Sequence, residues 1–117
     1  MPGDESREPR EEFLHSLAEE HCVLLKAAGY SDRRRQGSVH KYSSYLVKIV
    51  LAAEFASRDE LFEPDAWARA AKACVDMASA AAESNTASLD KLYKNYMRGF
   101  TTFVSLAQSD GNAPGAL

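Results

Sequence analysis

The chain has 117 residues, room for one domain with a core that needs no metal or disulfide staple. Hydrophobic residues make up 45% and charged residues 26%, ordinary globular usage that excludes disordered and fibrous classes for the chain as a whole. The formal net charge of −3 runs against the basic balance usual for a dedicated nucleic-acid binder.

The charge is uneven. Residues 1–12 carry five acids and two bases, residues 13–56 four acids and six bases, and residues 57–117 eight acids and six bases. Half of the bases in the middle segment sit in one run, Arg33, Arg34 and Arg35. There are two cysteines, Cys22 and Cys74, where a secreted disulfide scaffold of this size would carry four or more. The acidic, polar N-terminus reads as neither a secretory signal nor a transit peptide. The longest uncharged apolar run, Ile49 to Ala53, is far short of the roughly 18 residues a membrane span needs. A soluble cytoplasmic protein without membrane insertion is the expectation.

Residues 1–8 read as a flexible acidic tail, 9–108 as a single helical domain and 109–117 as a flexible C-terminal tail rich in Gly, Pro and Asn. The first helix is expected from Pro9 to about Ala28. Pro9 suits the opening turn, and Glu11 and Glu12 follow where the helix dipole favours acids. Leu14, Leu17, His21, Leu24, Leu25 and Ala28 fall on one stripe, and Gly29 is a natural stop. After a polar connection, Ser38 caps a second helix to about Ala56, with Tyr42, Tyr45, Leu46, Ile49 and Ala53 as its core stripe.

Ser57-Arg58-Asp59-Glu60 has the capping-box pattern and predicts a short helical turn near 57–62. Pro64 then opens a third helix to about Glu83, lined by Trp67, Ala70, Ala71, Cys74, Met77, Ala78 and Ala81. So thin a face requires a partner backbone to come close. Asn85 or Thr86 caps a fourth helix to about Gln108. Its stripe is the strongest in the chain: Leu89, Leu92, Tyr93, Tyr96, Met97, Phe100, Phe103, Val104 and Ala107. The fold expected is all-α, a four-helix up-down bundle or two stacked α-hairpins.

The two halves echo each other. Setting Cys22-Val23 on Cys74-Val75 brings Tyr42-x-x-Tyr45-Leu46 onto Tyr93-x-x-Tyr96-Met97 after one gap, a period of about fifty residues. Duplication of a hairpin and chance alignment of two amphipathic pairs both account for it.

Within this pattern, Met77-Ala78-Ser79 followed by Leu92-Tyr93-Lys94-Asn95-Tyr96 resembles the MIT-like helical domain at the N-terminus of ESCRT-associated deubiquitinases, over residues 67–100. Tetratricopeptide hairpins are similar more loosely. The resemblance implies an adaptor or dimerisation module that receives partner helices, of a membrane-trafficking type. The long connection at 31–37 departs from what that family would place upstream.

Candidate chemistry is sparse. His15, His21 and Cys22 lack the three- or four-residue spacing that puts metal ligands on one helix face, so no metal or cofactor is expected. Arg35 and His40 match the Arg-x4-His spacing of HEPN-type ribonucleases, yet Gly37 and the Ser38 cap interrupt the helix between them. No phosphate loop or Ser/His/Asp set is present, and no enzyme is expected.

The surplus apolar residues are more telling. Helix 2 carries Val47, Val50 and Leu51 beyond its core stripe, which either makes it central or leaves a patch for a partner. The reading that follows is a non-catalytic protein-interaction module that docks a partner helix, or a second copy as a homodimer, in a groove between helices 2 and 4. Tyr45, Val47, Leu51 and Phe103 would be the anchors, and Arg33, Arg34 and Arg35 the steering charges. The alternative is a helical subunit of a nucleoprotein complex that contacts RNA through the Arg33–Arg35 loop.

Overall fold

A computed structural model describes residues 9–33, 37–83 and 88–116, with side chains through Gln108. It is all-helical, with no strand among the described residues. In chain order the elements are α1 (Pro9–Ala27), α2 (Ser38–Ala53), a 3-10 turn (Arg58–Phe62), α3 (Ala66–Glu83) and α4 (Leu89–Ala116).

Helix ends follow from local backbone chemistry. Gly29 adopts φ +92°, so Gly29 N–H reaches Lys26 O and Tyr30 N–H reaches Leu25 O. These two bonds satisfy the last carbonyls of α1. The same device ends α2 three residues before the expected Ala56. Glu54 takes φ 59°, its N–H bonds to Leu51 O, and Phe55 N–H bonds to Val50 O. That turn drives Phe55 into the core, a placement the helical periodicity did not foresee.

In the 3-10 turn, Glu60 accepts from Ala56 N–H at 3.1 Å, while Ser57 makes no side-chain cap bond. The turn is strapped down from two sides. Arg58 forms a fork to Glu20 of α1, at 2.8 and 2.6 Å, with its guanidinium over Phe62. Arg69 of α3 donates to the α2 carbonyls of Ala53 and Glu54, at 2.9 and 3.1 Å, and stacks 4.2 Å over Phe55. A cation at those terminal carbonyls also complements the α2 dipole.

The packing resolves the surplus of apolar residues on α2. The pair α2 and α4 forms the centre, and α1 and α3 flank it on opposite sides, each touching both central helices. A central helix buries two faces, so Val50 joins Leu46 and Ile49 in the core. Leu61 of the 3-10 turn is buried in the same cluster. Val47 is half-buried and Leu51 remains 44% exposed.

The centre is tight. At Gly99 an added Cβ would lie 2.6 Å from Tyr45 Cβ and 2.8 Å from Leu46 N. The backbones of α2 and α4 therefore meet there, and the expected groove between them is closed. Phe103 is likewise corrected from partner anchor to core: it is fully buried, edge-on to His21 and against Phe62.

The echo has a spatial form. Tyr45 and Tyr96, which correspond between the halves, meet edge to face with ring centroids 5.0 Å apart. Corresponding residues touch when two similar units face each other across a shared axis. Each cysteine contacts the second helix of its own hairpin: Cys22 Sγ lies 3.1 Å from Ser43 Oγ, and Cys74 Sγ lies 3.7 Å from Met97 Sδ.

Candidate functional site

With the α2–α4 seam closed, the exposed apolar surface lies elsewhere. Trp67 was expected in the core stripe of α3 but is 56% exposed, because it stands at the edge of that stripe. Val75 follows two turns later on α3 at 45%, and Leu89 opens α4 at 48%. Val75, Leu89, Asp90 and Tyr93 enclose an open recess of about 230 Å3 between α3 and α4. Its walls are mainly apolar. Its one charged lining residue, Asp90, pairs with the exposed Lys94 at 3.2 Å.

The recess exists because α3 is poor in bulky side chains. Ala70, Ala73, Cys74 and Ala78 face the core and let α3 sit close to its neighbours. Toward solvent, α3 presents Trp67, Ala68, Val75 and Ser79 beside the exposed Lys72–Asp76 ion pair. Leu89 belongs to the first turn of α4, where Ser88 Oγ accepts from Lys91 N–H at 3.2 Å. Leu89 thus lies at the end of the bundle, where α3 and α4 leave it partly uncovered.

The other sequence candidates are dispersed. Tyr45 is half-buried against Tyr42 and Tyr96. Arg33 is exposed, and its carbonyl accepts from Gly37 N–H at 2.9 Å. Arg34 and Arg35 lie outside the described residues. His40 stands in the first turn of α2 with Nε2 3.3 Å from Asp32 Oδ1, while Lys26 Nζ is 3.2 Å from Asp32 Oδ2. His15 pairs with Glu19 one turn on, at 3.3 Å.

The remaining chemistry-bearing groups are internal. His21 is fully buried, and burial lowers its pKa to about 4. Cys74 is buried, and burial pushes its thiol up to about 11, so the nucleophilic thiolate is scarce at neutral pH. Among the described residues, no three His, Cys, Asp or Glu side chains converge as a metal site. No described helix is long and apolar enough to cross a membrane.

Compared with protein families, with curated proteins and with solved structures, the chain shows no match.

The recess is the feature that sequence reasoning missed. Leu89 and Tyr93 in its lining belong to the expected core stripe of α4, and a stripe does not reveal where a bundle stops covering it; Val75 falls outside the α3 stripe. The paired exposure of Val75 and the first turn of α4 becomes visible only once α3 and α4 are laid side by side.

Proposed function

We propose that this domain is a non-catalytic, cytoplasmic protein-interaction module whose docking face is the α3–α4 edge. The observation that carries the reading is the open recess between Val75, Leu89 and Tyr93, with Trp67 exposed further along α3. Exposed apolar surface of this kind gains from being covered, at roughly 25 cal/mol per Å2 before ordering costs. Single exposed apolar side chains are ordinary. A concave cluster of them is the arrangement that binding sites share. A role as a trafficking adaptor rests on the resemblance of residues 67–100 alone.

The test places a photo-crosslinking benzoylphenylalanine at position 75 and, as a control, at position 15 on α1. In cells expressing the full chain, position 75 should give discrete adducts that disappear when Leu89→Asp is added. An adduct at twice the chain mass identifies self-association. Adducts equal from both positions, or none from position 75, overturn the reading.

A further inference from the structure

The recess is apolar apart from Asp90, the one charged residue in its lining. At about 230 Å3 it is smaller than the about 300 Å3 from which small-molecule pockets start, so it suits a single side chain. Lys94 meets Oδ2 of Asp90, and a carboxylate accepts more than one donor. An occupant that matches these walls is an aromatic ring with an N–H at its edge. The indole of tryptophan is such a group, since Nε1–H donates and the rest of the ring is apolar.

The chain has one tryptophan, Trp67, and it is 56% exposed on the same helix as Val75. Trp67, Ala71 and Val75 stand four residues apart and form a single ridge along α3. The ends of this ridge are about 12 Å apart along the helix axis, too far for the indole to enter the recess of its own chain. Ala71 lies midway. A two-fold axis through Ala71, at right angles to α3, sets two α3 helices antiparallel and brings Trp67 of each copy against Val75 of the other. Every contact then occurs twice, as a two-fold interface requires. The small side chain of Ala71 lets the helices approach closely at the centre. Charge does not oppose the approach. The ridge itself is uncharged, and Lys72 and Asp76, each one residue on and about 100° round the helix, pair with each other at 3.5 Å. Asp90 and Lys94 balance in the same way on α4.

We propose that the occupant of the recess is Trp67 of a second copy of this chain, exchanged reciprocally across a two-fold axis at Ala71. One ridge and two recesses make a small contact, of the class below about 1,200 Å2 that forms and dissociates readily. This inference rests on the docking reading above and names its partner as the chain itself.

Because Trp67 is the only tryptophan, its fluorescence reports on the contact directly. Sedimentation of the purified full chain from about 1 μM to about 1 mM should show the mass rising from one chain toward two. Over the same concentrations the indole emission should move to shorter wavelength as the ring leaves water. Trp67→Ala and Leu89→Asp, both at exposed positions, should keep the helicity of the parent by circular dichroism and dimerise at least about tenfold more weakly. The deciding step is to mix them. The Trp67→Ala chain has an intact recess and no indole, and the Leu89→Asp chain has the indole and a spoiled recess. A mixed dimer regains one full contact, so the emission of the Leu89→Asp chain should shift to shorter wavelength when Trp67→Ala is added and stay put when more of itself is added. A single chain mass at about 1 mM, a dimer indifferent to either substitution, or no shift on mixing overturns the inference. A monomeric chain that still forms discrete adducts with other proteins through position 75 loses this inference and keeps the docking reading; a monomeric chain that forms none loses both.

Discussion

Inside the core, Nε2 of His21 lies 2.9 Å from Oγ1 of Thr102, joining α1 to α4. The Thr102 hydroxyl donates its one proton to Arg98 O, so Nε2–H of the imidazole is the donor to Thr102. The other ring nitrogen, Nδ1, is buried with no partner. The side chain is therefore a neutral imidazole held in one tautomer, and protonation would place a charge where only one of its two N–H groups has an acceptor.

That arrangement predicts acid sensitivity. Burial lowers the folded-state pKa of His21 from 6.5 to about 4. Between these values the unfolded chain binds the extra proton and the folded chain does not, so stability falls as pH drops through that window and levels off below it. The loss from this group is about 2 kcal/mol by pH 5 and on the order of 3 kcal/mol in full. Urea unfolding at pH 7 and pH 5 checks this against His21→Leu, which should lose that part of the pH dependence. Equal losses in both proteins would show that other groups are responsible.

Gly99 predicts a second outcome. Alanine in place of a helix-interior glycine ordinarily adds about 1 kcal/mol. Here the new methyl would meet the backbone of α2 at Leu46 N and Tyr42 O, at 2.8 and 3.0 Å, and Tyr45 Cβ at 2.6 Å. Backbone cannot rotate aside, so the central helices must separate. Gly99→Ala should cost about 2 kcal/mol net and lower the thermal midpoint. A midpoint at or above that of the parent would mean that the α2–α4 contact is looser than described.

A third prediction separates neighbours on α2. Val50 is buried by the central position of its helix, and Leu51, one residue on, is 44% exposed. Val50→Ala should cost about 2 kcal/mol and Phe103→Ala about 3–5 kcal/mol, whereas Leu51→Ala should stay within about 1 kcal/mol. Chemical denaturation of the three variants decides. Comparable losses at Val50 and Leu51 would contradict the placement of α2 between its neighbours.

The internal correspondence gives these positions a common logic. Helices α2 and α4 are the second helices of their hairpins, and both lie at the centre. Tyr45 against Tyr96 marks where they cross. Val23 and Val75, on the first helices, both face outward. What differs between the halves is the connection. Residues 28–37 bring an aromatic ring back over Tyr42, and the shorter 84–88 contains no such ring.

The sequence by itself determined that this protein is all-helical, where α1 stops at Gly29, and that a short turn precedes α3. These properties arise from interactions within a few residues: apolar spacing, a glycine free to take positive φ, an acid placed to accept a nearby N–H. Only the tertiary structure decided which helices are central, and hence that Val50, Phe55 and Phe103 are core while Trp67 and Leu89 look outward. A helical stripe shows which side chains share a face, but not how many neighbours that face meets or where a neighbour ends. Burial depends on contacts between residues far apart in the chain, and the recess at Val75, Leu89 and Tyr93 is a property of two helices together that neither encodes alone.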